Sequence, residues 1–376
     1  MSDEEQMIGS YDVGSLPLRA EASKIWEGAR RALTLLPMLG VAEGDAVKVF
    51  EEEVVGAFAD KLRMGIGVPN YPQFRDMNEM FFELIRGIER GEAGYATLRT
   101  PSAKPGASIP EVDALRRNAS RIRDIAGVDR VRVKACVTGP YTLASFFQAK
   151  SPRLFEDLGD ALAAIVSRTI FSNRHGELAL LCIDEPVLGF LNDPLLDYGS
   201  EGRESLRRTW DNICLAAASR GLETSMHLHD TSDDLFWDVE HLGIVESHIG
   251  DPLYAQEATK RRLEEKDKRL KASIAVTLFD NLIEDHLRRE GFEGDVQQRI
   301  GDVWTEIRRG SADPFEFIDE PALLMKRLRS VVERFGAERV PYAGPECGLG
   351  GWPTYDSAME CLRRVARTLE DFNKQG

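Results

Sequence analysis

Two histidines, a glutamate and a cysteine carry the most specific chemistry in the chain. Of six histidines, four fall between His227 and His248. In Met226-His227-Leu228-His229-Asp230 two of them are two residues apart. On a β-strand that spacing sets both imidazoles on one face. Glu246 closes the next apolar run, and Cys347 follows the last, in Gly344-Pro345-Glu346-Cys347-Gly348-Leu349-Gly350-Gly351. Neighbouring strands lie about 4.8 Å apart, so adjacent strand ends can converge on one ion. Zinc prefers four nitrogen, oxygen or sulfur donors in a tetrahedron, and His227, His229, Glu246 and Cys347 offer two nitrogens, an oxygen and a sulfur. Asp230, His248 and Glu346 stand beside them as alternative ligands. The competing reading is a satisfied polar His-x-His pair and a cysteine that only shapes a turn. Joint placement at strand ends is what sets the metal reading beside it. A weak oxygen ligand such as Glu246 can leave when a substrate thiol arrives, and zinc then presents that thiol as thiolate, the nucleophilic form.

These residues need strand ends to stand on. Short β-branched runs are expected as strands at 9–14, 65–69, 130–137, 178–184, 223–229, 242–247, 271–276 and 339–343. Helical periodicity fills most of the intervals, at 20–36, 45–62, 76–88, 112–125, 152–168, 202–218, 254–266, 323–335 and 355–373. Strict alternation implies a parallel sheet, and eight strands in one chain imply an α/β fold closed as a (β/α)8 TIM barrel. A doubly wound open sheet is the alternative. The expected organisation is one catalytic domain over 1–376, with a helical insertion at about 18–64 as an N-terminal extension. Barrel chemistry sits at the C-terminal ends of the strands. Besides the residues above, Ser15, the stretch 70–73 with Tyr71 and Gln73, Thr138 and Asp184 fall there.

The 376 residues are 43% hydrophobic and 30% charged, ordinary for a globular enzyme. A net charge of -15 argues against nucleic acid as a partner, since phosphate binding needs a basic surface. No apolar run approaches the roughly 20 residues of a membrane span, and the acidic start, Met1 to Gln6, is unlike a signal peptide. The expected location is cytoplasmic. Five scattered cysteines do not make a disulfide framework. Neither nucleotide-binding glycine motif is present.

The motifs at the strand ends resemble those of cobalamin-independent methionine synthase, in its catalytic C-terminal half and above all in the short archaeal and bacterial "core" versions. Gly14-Ser15-Leu16-Pro17 is similar to the family's opening Gly-Ser-Phe-Pro turn. Val133-Lys134 with Thr138-Gly139-Pro140, Ile183-Asp184-Glu185-Pro186, Ile244-Val245-Glu246 and Pro345-Glu346-Cys347-Gly348-Leu349 match further family motifs. The resemblance implies that Ser15 contacts a substrate carboxylate and Asp184 a substrate ammonium. It also implies that Glu246 and Cys347 bind zinc. The stretch 70–79 resembles the family's second substrate loop, where Tyr71 or Gln73 takes the place of an acid.

Three departures from the family bear on the donor. The family's His-x-Cys is His227-Leu228-His229 here, which brings no negative charge to the ion. Its histidine-bearing segment after the seventh strand reads Ala275-Val276-Thr277-Leu278-Phe279-Asp280-Asn281, without the proton donor for a folate leaving group. The N-terminal half of the long enzymes is not present in these 376 residues. The function expected is therefore zinc-dependent methyl transfer to a thiol, first of all homocysteine, giving methionine. A methyl-corrinoid on a partner protein is preferred over methyltetrahydrofolate as donor. Coenzyme M is a variant acceptor. The alternative is a related barrel that binds a metal or corrinoid without making methionine, or a decarboxylase-like barrel needing no metal.

Overall fold

The structure is a computed structural model and describes residues 7–34, 44–190 and 192–375. The acidic start, positions 35–36 of the expected first helix and positions 35–43 of the expected insertion lie outside the described residues. In chain order the elements are β1 (Gly9–Ser10), α1 (Ala22–Thr34), α2 (Asp45–Arg63), α3 (Glu79–Phe82), β2 (Ile85–Gly91), β3 (Gly94–Ala103) and α4 (Pro110–Ala126). There follow β4 (Val131–Thr138), α5 (Pro140–Ala144), α6 (Pro152–Thr169), β5 (Gly176–Glu185), α7 (Glu201–Ala218), β6 (Glu223–Leu228), β7 (Ile244–Glu246) and α8 (Glu257–Glu265). The chain ends with β8 (Arg269–Ala275), α9 (Phe279–Arg289), α10 (Val296–Arg309), α11 (Pro321–Phe335), β9 (Tyr342–Pro345) and α12 (Tyr355–Asn373). None of the described helices is long and apolar enough to cross a membrane.

The helices carry their own start signals. Ser151, Ser200, Asp295 and Thr354 each accept a backbone N–H of the first turn of α6, α7, α10 and α12, contributing about 1 kcal/mol apiece. Strands 1 and 4 to 9 form one curled, all-parallel sheet in the order β1-β9-β8-β7-β6-β5-β4. Its two faces differ. Val133, Val137, Ile183, Met226, Val245 and Ile274 alternate outward into the continuous core under the helices. The other face holds a second, small cluster of Tyr11, Val68, Cys136, Leu180, Cys182, Ile244 and Tyr342. The buried lysines and carboxylates described below lie beside it.

The expected second strand, 65–69, is not a strand. Pro69 and Pro72 lack the N–H that a ladder needs. The segment instead meets both sheet edges through isolated parallel bridges, Asn70 with Lys134 and Ser15 with Gln73. The Val68 N–H donates to Ser10 O (2.9 Å), and the Lys134 N–H to Pro69 O (2.8 Å). Lys61, fully buried on α2, locks this seam: its ammonium reaches Asp12 Oδ2 (2.6 Å), Gly14 O and Asn70 O (3.1 Å each). The expected first strand, 9–14, stops at Ser10, and the backbone leaves extended geometry at Gly14 (φ 131°). A Cβ on Gly14 would sit 2.1 Å from Asn70 Nδ2.

The expected helix 76–88 is only the short α3, followed by an antiparallel hairpin of β2 and β3. Apolar residues at 80, 81, 82, 84, 85 and 88 mimic a helical stripe, but β2 pairs with β3 across a turn between Gly91 and Gly94. Three helices, α5, α9 and α10, have no counterpart among the expected helical segments.

Candidate metal centre

The strand register builds the site. Thr138, Asp184, His227 and Glu246 stand opposite one another in a single rung across β4, β5, β6 and β7. His229 follows the end of β6, His248 lies two residues beyond β7, and Cys347 two beyond β9. His227, His229, His248 and Cys347 bring their ligand atoms within 4.8 Å of one another. The Sγ of Cys347 is 3.6 Å from His229 Nε2, and the rings of His229 and His248 are 4.2 Å apart, centre to centre.

Loop contacts fix this convergence. Asp251 accepts the Thr231 N–H (3.2 Å), tying the loop after β6 to the loop after β7. Glu346 accepts the N–H groups of Ile249 (2.8 Å) and Thr277 (3.0 Å), joining the His248 loop to the loops after β8 and β9. Glu346 and Asp230 are thus spent on backbone, Asp230 on the Ser232 N–H at 2.7 Å. Neither joins the four-residue group.

Glu246, expected as a ligand, is not in the group either; His248 stands in its place. The reason is charge. Glu246 is fully buried and faces Lys271 Nζ at 2.7 Å and Lys134 Nζ at 3.5 Å, with the Tyr11 hydroxyl donating to its Oε1 at 3.1 Å. Burial opposes its charge, yet Lys134 and Lys271 hold its carboxyl well below the usual range. The sequence reading did not single out these lysines as a pair. Lys134 shares the inward face of β4 with Cys136 and Thr138 at a spacing of two, which was the available signal.

The electrostatics suit a metal. Burial opposes protonation of His227, but Asp184, Cys347 and Glu246 outweigh it and raise its pKa well above the ordinary value. Burial resists ionisation of the Cys347 thiol, but His227 and His248 pull its pKa down to about 6. Burial and the neighbouring His227 lower His229 to about 4, so it is a neutral imidazole with a lone pair to give. Both nitrogens of His227 and the Nε2 of His248 are buried without a hydrogen-bond partner among the described residues. Such atoms are costly unless something satisfies them. Three nitrogens and a sulfur are a donor set zinc accepts, and drawing them in to a tetrahedral spacing of about 3.5 Å is a small contraction. The residues fit zinc.

Of the expected substrate contacts, Asp184 sits against this group. It is buried, its Oδ1 has no hydrogen-bond partner among the described residues, and burial raises its pKa. Ser15 Oγ accepts the Gly350 N–H at 3.1 Å, on the loop that carries Cys347. A Cβ on Gly348 would lie 2.0 Å from that oxygen, so only glycine admits the approach. Tyr71, Thr138 and Gln73 are already engaged. The Tyr71 hydroxyl donates to Cys136 O (2.8 Å), the Thr138 hydroxyl to Met77 O (2.6 Å), and Gln73 Nε2 to Met80 Sδ (3.7 Å).

Glu185, beside Asp184, has a structural task that sequence reasoning missed. Its carboxylate accepts the N–H groups of Tyr141 and Thr142, the Thr142 hydroxyl and the Trp210 indole N–H, at 2.6–3.0 Å. Burial pushes its carboxyl up to about 7 against these donors. It pins the Thr138-Gly139-Pro140 turn to α7.

No protein-family model matches the chain, and no curated protein matches it. Among solved structures it is similar to a B12-independent methionine synthase from Shewanella sp. W3-18-1, in complex with selenomethionine. The TM-score is 0.61 at 13% identity, over 98% of both chains. A protein described as a candidate sugar phosphate isomerase/epimerase from Anabaena variabilis ATCC 29413 follows, with TM-score 0.46, 9% identity and 98% of both chains covered. At 13% identity the first likeness concerns the fold alone: an α/β chain with a curled parallel sheet, similar to a TIM barrel.

Proposed function

We propose that this chain is a zinc-dependent thiol methyltransferase on a (β/α)8-type barrel, closed by segment 66–73 through isolated bridges in place of an eighth strand. Homocysteine is the preferred acceptor, and a methyl-corrinoid on a partner protein the preferred donor. One observation carries the reading: three imidazoles and a thiol converge at strand ends beside a buried carboxylate, Asp184, whose Oδ1 has no hydrogen-bond partner among the described residues. The similar fold of a methionine synthase supports it.

His227, His229, His248 and Cys347 would hold the ion. Bound there, zinc would take an incoming thiol as a fifth donor, lower its pKa and stabilise the thiolate, the proton passing to solvent. Asp184 offers its free Oδ1 to the substrate ammonium, a charge-assisted contact in a dry place. Ser15 accepts from Gly350 and keeps its own hydroxyl hydrogen to donate to the substrate carboxylate. Tyr71, Gln73 and Thr138 hold the adjoining wall through the hydrogen bonds they already make. The substrate sulfur then attacks the methyl carbon in line. A methyl-corrinoid would supply a methyl group whose Co–C bond pair stays with cobalt as the S–C bond forms, so its departure would need no proton. The barrel's contribution to that step is orientation.

A second reading draws on the ligand count. Four protein donors complete a tetrahedron, as in structural zinc sites, which favours a barrel that binds metal without methyl transfer. The test is to incubate zinc-loaded protein with methylcobalamin and homocysteine and to follow methionine and loss of the methylcobalamin spectrum. The proposal expects zinc-dependent methionine. Failure to methylate homocysteine, coenzyme M or other small thiols leaves the second reading.

A further inference from the structure

We propose that Glu246 is the positioning residue of this centre: held between Lys134 and Lys271, it holds the Nδ1 edge of His227 and leaves Nε2 for the metal. The inference rests on the metal site proposed above and adds a role for the carboxylate outside it.

The geometry carries it. His227 Nδ1 and Glu246 Oε2 face one another at 3.8 Å, and both are fully buried. Among the described residues each lacks a hydrogen-bond partner, although Oε2 is ion-paired with Lys271. They also occupy opposed register positions on β6 and β7, so the backbone itself holds them side by side. A carboxylate behind a metal-bound imidazole fixes the tautomer and the ring orientation. Binding a metal through Glu246 would instead draw it off two ammonium groups that are themselves fully buried. Those groups are anchored elsewhere. Lys134 Nζ donates to Asp12 O at 3.1 Å and lies 4.0 Å from the centre of the Tyr11 ring. Lys271 Nζ donates to Pro345 O, two residues before Cys347. The clamp therefore ties the strand bearing His227 to the strand that leads to Cys347.

The experiment compares Glu246→Gln with His248→Ala in the full chain. Zinc affinity is read by chelator competition, and coordination by the visible spectrum of the cobalt(II)-loaded protein. Glu246→Gln should weaken zinc binding about 10–100-fold, the usual effect of removing an outer-shell partner, while the tetrahedral cobalt spectrum persists. His248→Ala should alter that spectrum. If Glu246→Gln does not fold, Glu246→Gln combined with Lys271→Met removes the nearer of the two stranded charges and carries the same comparison.

Unchanged zinc affinity in the glutamine variant overturns the proposal. So does the reverse pattern, in which Glu246→Gln changes the spectrum and His248→Ala does not, because Glu246 would then be a ligand. Wild-type protein that binds neither metal overturns the metal site itself. Wild-type protein that binds metal but transfers no methyl group overturns only the methyltransferase reading, and the comparison still decides the role of Glu246.

Discussion

Cys347 Sγ lies 3.6 Å from His229 Nε2, although 118 residues separate them. The pair joins the ends of β6 and β9 at one point. With His227 and His248 holding the thiol near pKa 6, Cys347 is a thiolate at neutral pH. The other four cysteines are buried. In chelator-treated protein, iodoacetamide should alkylate Cys347 first, at a rate that rises with pH through about 6, because the thiolate is the reacting form. Zinc should protect it. Peptide mapping by mass spectrometry reads both effects, and a rate that rises only near pH 8–9 would contradict the picture.

Glu185→Gln should destabilise the fold. Two donors face each carboxylate oxygen, and an amide would set its own N–H groups against one of these pairs. Leaving buried donors unsatisfied costs about 1–3 kcal/mol each, so a loss of several kcal/mol in urea unfolding is expected. A change under 0.5 kcal/mol would show that the turn does not depend on this carboxylate.

Lys61→Met should open the seam where segment 66–73 meets β1. Removing one partner of a fully buried ion pair costs about 3–5 kcal/mol, and Asp12 would remain with no cation on its Oδ2. Hydrogen exchange should accelerate at Val68, Asn70 and Tyr71 before it does in β5. Uniform acceleration would mean that Lys61 supports the whole fold rather than this seam.

Asp184→Asn tests the substrate contact apart from the metal. Zinc content should stay at the wild-type level, while KM for homocysteine rises about tenfold to a hundredfold, the worth of a hydrogen bond to a charged group. Loss of zinc in this variant would place Asp184 in the metal shell instead.

Much of this site was legible because its signals are local. His-x-His on a strand announces a shared face, and Cys347 stands out among glycines. The choice between Glu246 and His248 was not legible. Both follow the same apolar run at a spacing of two, and what separates them is Lys134 and Lys271, brought in from β4 and β8 by the sheet. The fold shows the same division. The regular strands β4 to β9 follow their apolar runs, whereas the prolines of 66–73 replace ladder pairing with isolated bridges. The hairpin of β2 and β3 was hidden because its apolar residues fall at helical spacings. The Gly91-Glu92-Ala93-Gly94 turn was the readable warning.

The measurement closest to the central claim is the zinc content, by elemental mass spectrometry, of protein purified without chelators, alongside its Cys347→Ser variant. The account predicts about one zinc per wild-type chain and a sharp loss in the variant. A chain that holds no zinc even after the metal is added back, or equal zinc in the two proteins, would contradict it.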